Sequence, residues 1–177
     1  MAIRKASSYS QKKARPFTRN SRNKSKSYIK TVPQNKVVKY HIGNQKDYRL
    51  GKHTYVVRMI AEGKVQMRDN ALEAARQFLT KALDEQAPAQ YYLAVKVYPH
   101  HFLRENKTAA GAGADRMSSG MTHSYGIVIG RAAMVKPGQD IFFISCANDK
   151  VARIARDSLS AVKSKMPCKT TIIFEKL

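Results

Sequence analysis

NALEAARQFLTKALDEQ spans residues 70–86. Leu72, Ala75, Leu79, Ala82 and Leu83 recur within it at three- and four-residue spacing, which puts them on one face of a helix. Asp69 reads as its N-cap and Pro88 closes it. Arg76 and Lys81 fall on other faces. Before it, YRLGKHTYVVRMIAEG predicts a strand over His53 to Ala61, and after it YYLAVKVYP predicts one from Tyr91 to Tyr98, both rich in β-branched and aromatic residues.

That strand–helix–strand unit occurs a second time. DIFFISC reads as a buried strand, Asn148 or Asp149 caps a helix, and CKTTIIFEK is the closing strand. Val151, Ile154, Ala155, Leu159 and Val162 form the second apolar stripe, with Arg153, Arg156 and Lys163 off it, and Pro167 stops the helix. The helix starts resemble each other only loosely, so the expectation is pseudo-symmetry of architecture without duplication. KVVKYHIG from Lys36 to Gly43 adds a strand, and YGIVIGRAAMV adds another in which Gly126 and Gly130 allow a bulge or a close backbone approach. One apolar stripe per helix lets both pack on one face of a sheet. The expected fold is α+β: a single domain over 36–177, a mixed sheet with two helices on one face.

Between the units lies RENKTAAGAGADRMSSGMTHSY, residues 104–125. Loops beyond about 12–15 residues in a compact domain are functional or disordered. Folded back on itself, an extended segment of this length reaches roughly 30 Å from its base. Small residues cannot bury much apolar surface, so the loop serves something outside the domain. GAGAD lacks the third glycine and the following helix of a dinucleotide fingerprint. Glu105 and Asp115 have no apolar pocket to shift their carboxyl groups, and no nucleophile triad has a scaffold. What the loop offers is Arg104, Lys107 and Arg116 on a backbone slim enough to approach RNA, with Met117 and Met121 as polarizable contacts or packing at its base.

Charge names the partner class. The chain has 177 residues with 33 Lys and Arg against 12 Asp and Glu, a net charge of +21. So large an excess repels itself unless a polyanion neutralises it. No run approaches the roughly 20 apolar residues of a spanning helix, and no signal-peptide pattern opens the chain, so the expected polyanion is nucleic acid and not a membrane. Residues 1–46 contain thirteen Lys and Arg and no acid. The first 35 read as a basic arm, disordered when free, in which Arg4, Lys5, Lys12, Lys13, Arg15, Arg19, Arg22, Lys24, Lys26 and Lys30 bind RNA phosphates. Tyr9, Phe17 and Tyr28 are spaced to stack on bases. Arg76, Arg153 and Arg156 extend this basic set onto the helices. Cys146 and Cys168 form no metal-ligand spacing, and the adjacent His100 and His101 point apart on an extended backbone. The expectation is buried or half-buried thiols, no metal and no cofactor.

VYPHHFLREN at 97–106, GADRMSSGM at 113–121 with YG at 125–126, RDNALEAAR at 68–76 and KMPCKTTI at 165–172 together resemble the universal large-subunit ribosomal protein family called L-sixteen in bacteria and L-ten-e in archaea and eukaryotes. LREN and NALEA look like the archaeal branch. The resemblance implies an α/β-hammerhead-like domain that binds large-subunit rRNA near the A site, in the cytoplasm. The long loop would point toward the peptidyl-transferase centre and the tRNA acceptor end. Arg104 and the run Ala114-Asp115-Arg116-Met117 match the family's loop positions, with Lys107 beside them. Implied partners are large-subunit rRNA, five-S rRNA, tRNA and neighbouring ribosomal proteins. Thr122 stands where the family commonly has a basic residue, YGIV at 125–128 where it has FGKP, and the arm is unusually rich in Lys and Ser. The expected function is structural, with no catalysis. The rivals are an RNA-modifying enzyme using the loop as a substrate lid and a free-standing RNA chaperone.

Overall fold

The structure is a computed structural model that describes residues 7–10, 16–18, 21–26, 29–105 and 126–177, with the backbone alone of Ser8 and Lys24. The expectations on Arg4, Lys5, Lys12, Lys13, Arg15, Arg19, Lys107, Asp115, Arg116 and Met117 lie outside these residues. In chain order the elements are α1 (Ser7–Ser10), β1 (His41–Gly43), α2 (Gln45–Arg49), β2 (Tyr55–Ala61), β3 (Val65–Arg68), α3 (Asp69–Gln86), β4 (Tyr91–Val95), β5 (His101–Glu105), β6 (Ile127–Val135), β7 (Asp140–Cys146), α4 (Asp149–Val162) and β8 (Thr170–Lys176). Short 3-10 turns occupy Lys24–Lys26 and Lys163–Lys165.

The two units, β2–α3–β4 and β7–α4–β8, interlock. Strand order in the larger sheet is β1-β4-β7-β2-β8. The leading strands β2 and β7 pair at its centre, and each trailing strand lies against the leading strand of the other unit. Within a unit the two strands run the same way, as a helical crossover requires. The gap between them is filled by an oppositely directed strand, so every ladder is antiparallel. The expectation of a mixed sheet is corrected here. Each crossover was legible in the sequence, whereas the insertion of one unit into the other was not.

A second correction concerns the region between the units. β3, β6 and β5 form a separate antiparallel sheet in that order. Neither β3 nor β5 was expected, because four- and five-residue strands leave little periodic signal. Arg104 and Glu105 therefore belong to a strand, and the segment 106–125 joins β5 to β6 as a hairpin connection. Leu103 faces Gly130 while Arg104 faces Val128, so Ile129 is an extra residue and the bulge expected near Gly130 is present. A Cβ at Gly130 would meet no atom within 4 Å, so close approach is not its reason.

The core lies between the larger sheet and the helices. Leu72, Ala75, Leu79 and Leu83 of α3 and Val151, Ala155, Leu159 and Val162 of α4 are buried against Val57, Met59, Leu93 and Ile144 of the sheet. The helices also pack against one another. Ala82 and Ile154 lie half-buried at the margins of their stripes. On the opposite face α2 sets Tyr48 against Tyr92, with ring centroids 4.7 Å apart, and edge-on to Phe143 at 5.7 Å.

Several boundaries differ from expectation: β2, β6 and β8 each begin two residues later than expected. Tyr91 to Tyr98 shortens to β4, ending at Val95. Asp69 is the first residue of α3 and Arg68 holds the cap position without a side-chain bond. The Asp69 carboxylate instead accepts the N–H groups of Asn70 at 2.9 Å and Lys36 at 3.3 Å. Of KVVKYHIG, only His41–Gly43 is strand. Val37 enters the core, and the Val38 N–H donates to Glu73 Oε2 at 3.4 Å. The first turns of α3 thus hold residues 36–38 with two carboxylates, and the Lys36 and Val38 N–H groups are bonded to the helix in place of a ladder.

Candidate nucleic-acid interface

The expected arm meets the domain at the β5 edge of the small sheet. Phe17 and Ile29 are buried with Phe102 in a cluster separate from the main core. The Phe17 N–H donates to His101 Nδ1 at 2.9 Å, and the Phe102 N–H donates to the Phe17 carbonyl at 3.0 Å. These bonds satisfy groups on an edge strand that would otherwise stand unpaired. The Tyr9 hydroxyl donates to Glu105 Oε1, and the Arg68 guanidinium lies 5.3 Å from the Tyr9 ring centre. Among the arm's aromatics, Tyr9 and Phe17 are therefore engaged with the body, while Tyr28 lies outside the described residues.

Arg104 does not project freely. Its guanidinium carbon sits 3.9 Å from the Phe17 ring centre, a cation–π contact, and burial lowers its pKa from the ordinary arginine value. Arg131, which no sequence pattern singled out, ties three segments together. Its Nε donates to the Pro33 carbonyl at 2.8 Å, Nη1 lies 3.4 Å from the Tyr98 hydroxyl, and the group stands 5.1 Å from the Phe102 ring centre.

The helical cations divide into two kinds. Arg76 is an internal group with an 11 % exposed side chain. Its Nε donates to Glu73 Oε2 at 2.7 Å and its Nη2 to Glu73 Oε1. Gln77 and the Val38 N–H complete the set around Glu73. Bonding to Arg76 is the largest influence holding the Glu73 carboxyl below its usual range, and the same bond raises Arg76. Arg153 and Arg156 are exposed on α4, as are Lys163 and Lys165 of the following turn. Arg153 pairs with an exposed i,i+4 carboxylate, Asp149 at 2.8 Å, which competes weakly with a phosphate. Arg22, Lys26 and Lys30 are exposed as well. Of the helical residues expected to bind RNA, the fold presents Arg153 and Arg156 outward and turns Arg76 onto its own helix.

His100 is exposed and His101 buried, so the pair does diverge. Exposed and buried residues alternate from Lys96 to His101, an extended pattern that runs past the strand expected to end at Tyr98. Cys146 is buried and free, its thiol pushed up to about 12 by burial. Cys168 is half-buried and free, and burial raises it too. No group of three or more His, Cys, Asp or Glu among the described residues is placed to hold a metal ion. No helix among them is long and apolar enough to cross a membrane.

A basic surface on an α+β scaffold is common to many proteins, and comparison narrows the choice. Residues 12–173 match the model of the family described as ribosomal protein L16p/L10e, so the match takes in most of the basic arm as well as the domain. The large ribosomal subunit protein uL16 of Pyrobaculum calidifontis is 38 % identical over 176 residues, covering 99 % of this chain and 95 % of the relative. That of Methanococcus aeolicus is 39 % identical over 177 residues, covering 99 % and 96 %. That of Archaeoglobus fulgidus is 39 % identical over 163 residues, covering 92 % and 87 %. With the match running through the arm, both strand–helix–strand units and the small sheet, this chain belongs to the ribosomal protein L16p/L10e family.

Proposed function

We propose that this chain is a structural constituent of the large ribosomal subunit, acting in the cytoplasm with no chemistry of its own. The observation that carries this reading is the near full-length family match to a chain of net charge +21. Phosphate contacts position a protein on RNA without reading sequence. Arg4, Lys5, Lys12, Lys13, Arg15, Arg19, Arg22, Lys24, Lys26 and Lys30 of the arm supply them, joined by Arg153 and Arg156 of α4. The domain sits on large-subunit rRNA near the A site, beside five-S rRNA and neighbouring ribosomal proteins. The β5–β6 connection, which carries Lys107, Asp115, Arg116 and Met117 and follows Arg104 in the chain, extends toward the peptidyl-transferase centre and the tRNA acceptor end. The RNA-modifying alternative draws no support from the family.

Sedimentation of the native protein with the large subunit after a high-salt wash tests the reading. Recovery of the protein in the free fraction would favour a chaperone instead. Reconstituted subunits carrying Arg116→Ala then separate loop from scaffold: full occupancy with impaired tRNA accommodation is expected. Unimpaired accommodation at full occupancy would make the loop a passive spacer.

A further inference from the structure

The cavity between the β4–β5 connection and β6 has no role in the reading above. It measures about 380 Å³ and is lined by residues including Lys96, Val97, Tyr98, His100, Ala133, Met134 and Gln139. Buried Val97 and Ala133 and half-buried Met134 give it an apolar floor. Lys96, Tyr98 and His100 are exposed, alternating with buried Val97, Pro99 and His101, so one side of the segment carries a cation and two rings. Tyr40 backs Tyr98 with centroids 5.4 Å apart, and His100 lies against Tyr98 at 4.5 Å. The rings form a short row with exposed members at the cavity. Gln139 accepts the Lys136 N–H through Oε1 at 3.1 Å, which leaves its amide N–H groups as donors.

We infer that this cavity is a nucleotide pocket that takes one unpaired base of an RNA strand. Its volume is at the low end of the roughly 300–1,000 Å³ typical of small-molecule sites, sufficient for a single base with part of its sugar and too small for a duplex. RNA bound sequence-specifically or by stacking is unpaired RNA, whose bases lie on aromatic faces and present their edges to amide groups. Here His100, backed by Tyr98 and Tyr40, supplies the stacking face. The Gln139 amide meets a base edge, and Lys96, whose Nζ rests 4.8 Å from the Phe143 ring centre, leaves that ring to meet the phosphate. Arg131, 3.4 Å from the Tyr98 hydroxyl, and Tyr40 hold the Tyr98 ring in place. The inference rests on the RNA-binding reading and adds to it a site that recognises a base, beside the phosphate contacts of the arm, whose Pro16 and Thr18 also line the cavity.

The test uses the full chain and a short single-stranded RNA carrying one 2-aminopurine, whose fluorescence falls when the base stacks. The parent is expected to quench it on binding. His100→Ala, at an exposed position, should weaken binding by roughly five- to 150-fold, the range for one base–aromatic stack, and restore the fluorescence without changing the salt dependence. Lys96→Gln should lower the salt slope by about 0.7 log units, one single-strand phosphate contact. Tyr98→Leu, checked by thermal melting, should repeat the His100→Ala result. Unchanged affinity and quenching in both ring variants would overturn the pocket while leaving RNA binding intact. A parent that binds no RNA would instead sink the function proposed above. Equal competition by duplex RNA, or by adenosine monophosphate at matched concentration, would also overturn the assignment to a strand.

Discussion

Arg76→Ala is the substitution that best separates the fold from the RNA surface. Sequence position places Arg76 on a helix face free to meet phosphate, yet its side chain is 11 % exposed and that of Glu73 12 % exposed. Removing the guanidinium takes two charge-assisted donors from a carboxylate that keeps Gln77 Nε2 at 2.9 Å and the Val38 N–H at 3.4 Å. Hydrogen bonds to charged groups contribute about 1.5–3 kcal/mol each. Those two remaining donors and partial rehydration of Glu73 offset part of the loss, so a net cost of about 2–3 kcal/mol is expected. Urea unfolding measures it, and the cycle with Glu73→Ala should return a coupling above about 1 kcal/mol. Because bonding to Arg76 holds the Glu73 carboxyl low, its stabilisation is complete above the ordinary value of 4.5 and is lost as pH falls through the lowered one. Arg76→Ala should flatten that acid limb. In RNA binding, the salt slope should stay at the parent's value. Stability within about 0.5 kcal/mol of the parent, with a slope reduced by about 0.7–0.9 log units, would refute the intramolecular assignment and return Arg76 to the phosphate surface.

Gly43→Ala should cost more than about 2 kcal/mol, since φ is +86° and an added Cβ would stand 2.4 Å from the Tyr91 carbonyl oxygen; a thermal melt within the parent's error would contradict that geometry. In the isolated protein the amides ahead of residue 36 should exchange quickly, with a local slowing at Phe17 that Phe17→Ala erases; protection at the global level throughout the arm would show that it folds alone. Thiol labelling of native protein should modify Cys168 well before Cys146, and Cys146→Ala should cost about 1–2 kcal/mol without altering metal content. Burial lowers the His53 pKa from 6.5 while Asp47 opposes the shift, so the His53 contribution is full above pH 6.5 and falls as pH drops through the lowered value. His53→Gln should remove that slope from unfolding midpoints measured between about pH 5 and pH 7.5.

Arg104 and Arg76 show where reading from sequence stops. Arg76 has a local partner in Glu73 three residues earlier, a pair that Asp149 and Arg153 also form, and only the burial of the first pair sets the two apart. Arg104 became a stacking partner because Phe17, eighty-seven positions earlier, folds back onto β5. Arg131 gained its role in the same way, from Pro33 and Tyr98. Such contacts depend on which segments meet, and hydrophobic periodicity reports only which face of an element is buried. Of the small sheet only β6 is legible in the sequence, because β3 and β5 are too short to show a period and β5 ends in the first two residues of the Gly- and Ala-rich segment.

What the sequence determined by itself was the pair of strand–helix–strand units, their buried stripes, the basic arm, the long connection and the family that its motifs resemble. Those features follow from local spacing, composition and charge, which a linear chain displays directly. Tertiary structure alone decided that each unit receives a strand of the other, turning two parallel crossovers into one antiparallel sheet. It also decided which helical ion pairs are buried and which face solvent, which cations lie on rings, and that Lys96, Tyr98 and His100 line one cavity. Strand pairing and side-chain partnership are settled by backbone hydrogen bonds and burial between distant segments, and those energies exist only once the chain has closed on itself.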